Sequence, residues 1–140
     1  MATGNTQVGY GTTLTWNSVA VAKLTKIGKV ALKADEVDIK TFDAANRTVV
    51  TRAGLIKYDP IVIEGVLATD DTTGQMALIA DAQAATSRAF IITLPTTLGT
   101  TTITGTAFLS DIAIGDITAD GIIPISFTMT PTGKWTWSAA

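Results

Sequence analysis

Residues 122–130, "IIPISFTMT", place apolar side chains at odd positions and proline or hydroxyl side chains at most even positions. A period of two residues is typical of a β-strand that buries one face and exposes the other. Similar alternation, together with shorter runs rich in Val, Ile and Thr, predicts strands at residues 13–16, 19–24, 29–32, 36–42, 60–67, 89–94, 101–109 and 122–130. Such a series predicts a mostly β chain, folded as a β-sandwich.

The apolar positions between Ile103 and Ile114 shift from odd to even numbers near Phe108. Because neighbouring residues of a strand point to opposite faces, an uncorrected shift would turn the core side chains towards solvent. One extra residue in the strand restores burial on both sides of the shift. We therefore expect a β-bulge near Phe108.

Residues 73–86 depart from the strand pattern because their apolar side chains recur at helical spacing. Thr72 and Gln75 fit a capping box at the helix start, where Asp70 and Asp71 would also favour the helix dipole. One helix cannot build a core alone, so we expect it to flank the sandwich and cover an open end or face. At 140 residues, the chain is predicted to be a single domain.

Residues 43–57, "DAANRTVVTRAGLIK", lie between two predicted strands and are too long for a tight hairpin. They combine large apolar side chains with basic ones, which argues against a disordered loop. We therefore predict a long projecting hairpin whose apolar side chains contact another molecule. Residues 1–11, rich in Gly and Thr, are expected to form a flexible N-terminal arm.

The composition excludes several kinds of active site. The chain has no His and no Cys, which removes the commonest general base and the usual activated nucleophiles. Its net charge of −2 does not favour a basic groove for nucleic acid. Its apolar runs are far shorter than a membrane span, so no membrane insertion is expected. We expect no catalytic residue, no metal site, no cofactor and no enzymatic activity.

Three groups of residues allow more than one interpretation. Asp35, Glu36 and Asp38 could hold a metal ion, although a solvent-facing strand explains them better. The spaced Asp residues of 111–121 miss the calcium-loop spacing and indicate a turn-rich connection. Trp135 and Trp137, which alternate onto one face, could form a sugar platform or pack on the sandwich or a neighbouring subunit. The alternative function is therefore a small β-sandwich that binds carbohydrate or protein.

The order of the segments resembles that of one family. "LTKIGKVALKADEVDIKTFDAANR" is followed by the apolar and basic insertion, "IVIEGVLATDDTTGQMALIADA", "AFIITLP", "TTITGTAFLSDIAI" and "IPISFTMTPTGKWTW". From about Gly11 onwards, this order is similar to that of the major tail tube proteins of long-tailed bacteriophages. The resemblance implies a β-sandwich or barrel with a flanking helix, a fold shared with the tube proteins of type VI secretion. It also implies a structural virion protein that polymerises as stacked hexameric rings and conducts phage DNA to the host cell.

The resemblance further implies the partners and contact surfaces of such a tube. The chain would bind itself, meet tail tip, tape-measure and tail terminator proteins, and let DNA pass without specific binding. Assembly is expected in the host cytoplasm, with the virion tail as the final location. Candidates for subunit and ring contacts are Arg47, Val49, Val50, Arg52, Leu55, Ile56 and Tyr58. Since a carboxylate-rich wall would repel DNA weakly, Glu36, Asp38 and Glu64 are candidates for the lumen.

Overall fold

The computed structural model describes residues 11–39, 50–96 and 99–138, and most of these residues lie in β-strands. The strands are β1 (Thr13–Trp16), β2 (Val19–Ala20), β3 (Leu24–Ile27), β4 (Leu32–Ile39), β5 (Val50–Tyr58), β6 (Ile61–Val66), β7 (Arg88–Thr96), β8 (Gly99–Ile114), β9 (Pro124–Pro131) and β10 (Thr136–Ser138). The helix of the described part is α1 (Gln75–Ala84). The prediction of a mostly β chain is confirmed.

The long strand β8 joins two layers because its two halves pair with different strands. Up to Ala107 it pairs with β7, and from Ala107 onwards it pairs with β9. β1 and β2 extend the first layer beyond β7, whereas β6 and β3 extend the second beyond β9. The short β10 also pairs with β8. The result is an antiparallel β-sandwich with a flanking helix, as predicted.

The core lies between the two layers and is built mainly from alternate residues of β1, β6, β7, β8 and β9. Along β9, Ile125, Phe127 and Met129 are buried, and along β6 the buried residues include Ile61 and Ile63. The other large buried apolar side chains are Leu14, Trp16, Leu78, Phe90, Ile92, Ile103 and Leu109. Each side chain of this kind contributes about 1.5–3 kcal/mol when it is fully buried. The alternation that predicted β6 and β9 is therefore the pattern of the core.

The β-bulge expected near Phe108 is present at Ser110. Leu109 pairs with Met129 and Asp111 pairs with Thr128, so Ser110 has no direct partner across the ladder. The Ser110 hydroxyl accepts a hydrogen bond from Thr130 Oγ1 at 2.8 Å. Beyond the bulge, the even-numbered Ile112 packs against the core. The extra residue thus keeps both halves of β8 facing inwards.

The helix start differs from the predicted capping box of Thr72 and Gln75. A carboxylate oxygen of Asp71 accepts hydrogen bonds from the backbone N–H of Gln75 at 3.0 Å and of Ala22 at 2.9 Å. Gly74 fits beside it because a Cβ at this position would collide with the Asp71 carboxylate. The prediction was wrong because the Gln75 side chain is used in long-range contacts, which a local pattern does not reveal.

Gln75 is fully buried, and both ends of its amide are hydrogen-bonded. Its Nε2 donates to the carbonyl oxygens of Ala22 at 2.7 Å and Val66 at 2.8 Å. Its Oε1 accepts from the backbone N–H of Ala68 at 2.8 Å. Buried polar groups are stable when they are paired in this way. This one side chain therefore ties the helix to the segment after β2 and to the end of β6.

The remainder of the helix packs on the sandwich through Leu78, which is buried, and Asp81. A carboxylate oxygen of Asp81 accepts a hydrogen bond from the Trp16 indole N–H at 2.8 Å and lies 3.5 Å from Arg88 Nε. Ala85 then takes a left-handed conformation with φ 53°, while the Thr86 N–H donates to the Asp81 carbonyl at 3.0 Å. This is the geometry of a Schellman ending. The helix is shorter than the predicted 73–86.

Several strand predictions require correction. The predicted strand 19–24 is broken between β2 and β3, where Lys23 takes a left-handed conformation with φ 61°. Residues 29–31 lie outside any strand, and β10 was not predicted. Residues 40–42 of the predicted strand 36–42, and residues 1–10 of the expected arm, lie outside the described ranges. The break at Lys23 carries no sequence signal because lysine seldom adopts positive φ.

Candidate assembly interface

β4 and β5 form a two-stranded ribbon that is a separate sheet from the sandwich. Leu32 pairs with Tyr58 at its base, and Ile39 pairs with Val50 at the far end of its described part. The hairpin predicted within 43–57 thus has different bounds. Its first strand is residues 32–39, which the sequence pattern had grouped with the strands of the sandwich. Alternation identifies the residues that share a face, but it does not identify the partner strand.

A bulge in β5 changes which of its residues share a face. Ala34 pairs with Ile56, whereas Glu36 pairs with Ala53, so β5 carries one extra residue at this point. The extra residue lies at Gly54 and Leu55, opposite Asp35. A Cβ on Gly54 would lie 3.1 Å from Val37 Cγ2, which places this position on the side of Val37. The bulge therefore exchanges odd and even residues of β5 between the two faces.

The two faces of the ribbon carry opposite charge. The face that we call the basic face holds Lys33, Asp35, Val37, Ile39, Arg52, Leu55 and Lys57. The face that we call the acidic face holds Leu32, Ala34, Glu36, Asp38, Thr51, Ala53, Ile56 and Tyr58. The basic face thus has three cations and one carboxylate, and the acidic face has two carboxylates without a cation, among the described side chains.

Both faces expose large apolar side chains. Leu55 on the basic face is 83% exposed, and Ile56 on the acidic face is 54% exposed. Leu32, Val37 and Ile39 are also exposed. A two-stranded ribbon has no core of its own and is marginally stable in water. Within the described part of one chain, these side chains remain between 40% and 83% exposed, so the ribbon presents a surface suited to a partner.

The ribbon is held to the sandwich at its base. The Tyr58 ring meets the Trp135 ring edge-on, with centroids 5.4 Å apart and an angle of 70°. Trp135 in turn packs against the core. The Asp59 N–H donates to the Ala31 carbonyl at 3.0 Å, which joins the two chain segments that enter and leave the ribbon. The ribbon is thus anchored to the sandwich at its base, and its described residues beyond the base carry exposed apolar side chains.

The structure distributes the predicted interface residues over both faces of the ribbon. Arg52 and Leu55 lie on the basic face, whereas Ile56 and the half-buried Tyr58 lie on the acidic face. Val50 is the first residue of β5. Arg47 and Val49 lie outside the described residues. The ribbon therefore offers two distinct surfaces rather than one.

The three lumen candidates lie on two surfaces. Glu36 and Asp38 share the acidic face, where the Asp38 carboxylate accepts a hydrogen bond from Thr51 Oγ1 at 2.9 Å. Glu64 lies on the outer side of β6, in the sandwich, with its carboxylate 3.7 Å from Lys26 Nζ. The first two carboxylates are thus brought together, and the third is separate from them and paired with a cation.

The arrangement of the other candidate groups limits the chemistry that they can perform. Asp35 lies on the face opposite Glu36 and Asp38, and no cluster of three acidic side chains that could hold a metal occurs in the described ranges. Trp135 packs on the core while Trp137 is 55% exposed, so the two rings form no joint exposed platform. In the part of the chain with assigned structure, no helix is long and apolar enough to span a bilayer.

Sequence reasoning missed a second exposed apolar surface, on the connection between β8 and β9. In this segment, residues 115–123, which we call the isoleucine loop, Ile117 and Ile122 are each 74% exposed. Asp116 and Asp120 lie beside them, and Ile114 at the end of β8 is also exposed. The signal was present as isoleucines among turn residues, but the segment was interpreted only as a connection.

Comparison with protein-family models and with curated proteins finds no match. Solved structures, in contrast, match most of the chain. A chain from the tail of an empty gene transfer agent particle, refined helically with C6 symmetry, has a TM-score of 0.66 and 17% identity, covering 86% of this chain and 85% of that one. A chain from the tube-terminating cap of the anti-feeding prophage has a TM-score of 0.78 and 14% identity, covering 100% and 95%.

A chain of the SPP1 tail tube has a TM-score of 0.72 and 13% identity, and the match covers 96% of this chain and 80% of that one. At such identities the likeness concerns the fold. It agrees with the resemblance that the order of the sequence segments indicated. The chain therefore has the fold of tail tube proteins from phage-like particles.

Proposed function

We propose that this chain is the structural subunit of a phage tail tube, which polymerises as stacked hexameric rings and conducts DNA to the host cell. The observation that carries the proposal is the bare ribbon on a fold that tail tube proteins share. One of the similar chains belongs to a tail with C6 symmetry, which supports a ring of six. The exposed apolar side chains and open strand edges of the chain favour assembly.

The physical reason is that a monomer leaves two kinds of surface without a partner. The ribbon exposes Leu55, Ile56 and further apolar side chains. β2 and β3 are the outer strands of the sandwich sheet in the described part, so their edges are open to pairing with another sheet. Open strand edges either pair in a defined way or promote aggregation. A closed ring of identical subunits would pair the edges and leave the ribbons for contacts between rings.

The proposed lumen is acidic and rich in hydroxyl groups. The acidic face brings Glu36 and Asp38 beside Thr51. Glu64 is the candidate on the sandwich, where its carboxylate lies 3.7 Å from Lys26 Nζ. A polyanion such as DNA releases counterions when it binds Lys or Arg, which would retard its passage. The partners of the tube in this proposal are tail tip, tape-measure and terminator proteins. Its location is the virion tail, after assembly in the host cytoplasm.

The proposal is tested by replacing apolar side chains on both faces of the ribbon, in the variant Leu55→Asp with Ile56→Asp. We expect the purified wild-type chain to form rings or tubes in electron micrographs, and the variant to elute as a folded β monomer. The matched control, Lys29→Gln with Lys134→Gln, changes the net charge equally at exposed sites outside the ribbon. We expect it to assemble like the wild type. A wild-type chain that stays monomeric, or a double variant that assembles normally, contradicts the proposal.

A further inference from the structure

We propose that the basic face of the ribbon of one copy docks on the isoleucine loop of a second copy. This inference rests on the proposed function, and it adds the acceptor surface and the direction of the contact. The occupant of the loop is a second copy of this chain, recognised by charge and by apolar contact.

The charges of the two surfaces are complementary. The basic face carries Lys33, Arg52 and Lys57 against a single carboxylate, Asp35. The isoleucine loop carries Asp116 and Asp120 and contains no basic residue. Complementary charge across an interface fixes its register and excludes wrong partners.

Two lysines on the basic face indicate an anionic partner. Lys33 and Lys57 are directly opposite each other across the ribbon, and both are exposed. Like charges at directly opposed positions destabilise a strand pair. Among the described residues, neither lysine forms an ion pair. Carboxylates from a second copy would relieve the repulsion that a single copy retains.

The apolar side chains of the two surfaces also match. Leu55, Val37 and Ile39 are exposed on the basic face, and Ile114, Ile117 and Ile122 are exposed at the loop. Each set has charged residues beside it, as in an interface whose apolar centre is surrounded by a polar rim. Docking would bury both sets together.

The two surfaces lie at opposite ends of the sandwich. The ribbon joins β6 at Ile61, which pairs with Met129, whereas the isoleucine loop leads into Pro124, which pairs with Val66. The six residues of β6 separate these ends by roughly 17 Å. A contact between two different surfaces of identical chains is not self-complementary and continues from copy to copy. Copies joined by this docking would therefore stack head to tail, with the stacking axis roughly parallel to the strands of the sandwich.

An alternative acceptor is less suitable. An open groove of about 650 Å³ between β3 and β7 is lined by apolar residues that include Leu24, Ile27 and Leu94. The charged residue in its lining is Lys26, which has the same sign as the basic face. The groove therefore lacks the complementarity that the isoleucine loop provides.

A charge exchange tests the contact. The first variant is Arg52→Glu with Lys57→Glu, and the second is Asp116→Lys with Asp120→Lys. Each variant alone places like charges across every contact, so the concentration at which polymer forms is expected to rise roughly tenfold or more. In an equal mixture, each ribbon meets a loop of opposite charge if the two variants alternate. We expect the mixture to polymerise near the wild-type concentration, as measured by light scattering.

Cysteine crosslinking gives an independent readout, because the chain has no Cys of its own. Leu55→Cys and Ile117→Cys, prepared as separate proteins and mixed under polymerising and oxidising conditions, are expected to form a disulfide-linked dimer. Ile56→Cys replaces the neighbouring residue on the acidic face and is the matched control. With Ile117→Cys, it is expected to give at most a trace of dimer.

The outcomes separate the docking from the proposed function. If the wild type forms no polymer, both proposals are overturned. If the wild type polymerises, three results would each overturn the docking alone. In the first, each charge variant polymerises like the wild type, and in the second, the mixture of the two variants does not polymerise near the wild-type concentration. In the third, Leu55→Cys and Ile56→Cys crosslink equally to Ile117→Cys. Mutual rescue together with face-selective crosslinking supports the docking.

Discussion

The sandwich and the ribbon are built from the same kind of strand, yet they leave their apolar side chains in different environments. In the sandwich, alternation places Phe127 and its neighbours between two layers, where they are almost completely buried. In the ribbon, alternation places Val37 and Ile39 on a face where they remain 50% and 40% exposed. A strand pattern therefore specifies a surface that requires burial, and the cover can come from the same chain or from another.

The comparison also separates stability from assembly. A side chain in the sandwich stabilises the monomer, because its apolar area leaves water on folding. An exposed apolar side chain on the ribbon adds little to the stability of the monomer, because most of its apolar area would leave water only when a partner binds. Substitutions in the two regions are therefore expected to affect different measurements.

The largest expected effect comes from truncating the core. Phe127→Ala removes a side chain that is 1% exposed and is expected to lower the free energy of unfolding by about 3–5 kcal/mol. Leu55→Ala, at a position that is 83% exposed, is expected to lower it by less than about 1 kcal/mol. Urea unfolding at concentrations where light scattering reports a monomer measures both values.

If Phe127→Ala does not fold, a milder core variant still allows the free energies of unfolding of a core variant and a ribbon variant to be compared. Ile63→Val at a buried position is expected to cost about 0.5–1.5 kcal/mol. For polymer formation, we expect the opposite ranking, with Leu55→Ala more harmful than Ile63→Val. Equal destabilisation of the monomer by the ribbon and core variants would show that the ribbon is covered within one chain.

The sequence predicted the sandwich better than the ribbon for a physical reason. The alternation of β6 and β9 and the parity shift that placed the bulge near Phe108 are local consequences of burying one face. The assignment of residues 32–39 to the ribbon depends on pairing with β5, which is a long-range choice. The second bulge, at Gly54 and Leu55, decides which face Leu55 shares, and it was not predicted.

The helix illustrates the same limit. Its existence followed from spacing, but the roles of Asp71 and Gln75 depend on Ala22, Val66 and Ala68, which lie elsewhere in the sequence. The isoleucine loop was missed because exposure depends on what the rest of the fold leaves uncovered. Patterns along the chain thus predict elements, whereas the candidate interface depends on how the elements are placed.

The substitution Gln75→Ala tests whether the contacts between the helix and the sandwich stabilise the folded chain. Gln75→Ala leaves the three backbone groups that its amide binds without their partner, and it is expected to cost about 2–4 kcal/mol. Gln83→Ala, on the exposed side of the same helix, is expected to be nearly neutral and serves as the control. Thermal unfolding followed by circular dichroism measures both. Equal melting temperatures for the two variants would show that the Gln75 hydrogen bonds contribute nothing net.

The smallest expected effect concerns the ribbon itself. Lys57→Glu replaces the like-charge pair of Lys33 and Lys57 with an opposite-charge pair. In the monomer, we expect the ribbon to gain about 0.5 kcal/mol, which is roughly a twofold rise in the hydrogen-exchange protection of β4 and β5 amides. The melting temperature of the sandwich should not change, because the substituted side chain does not contact the core. Lys29→Glu makes the same charge change outside the ribbon and is expected to leave the protection of the ribbon unaltered.

In the polymer, the same Lys57→Glu substitution is expected to act in the opposite direction. If the basic face docks on the acidic isoleucine loop, a glutamate at this position meets carboxylates and weakens assembly while it strengthens the isolated ribbon. A substitution that stabilises the free element and destabilises the assembly identifies a charge retained for a partner. Reduced protection of the ribbon in the Lys57→Glu monomer would instead assign Lys57 a favourable contact within its own chain. In that case, the basic face would be a stabilised surface of the monomer, and the contrast between ribbon and sandwich would be smaller than we infer.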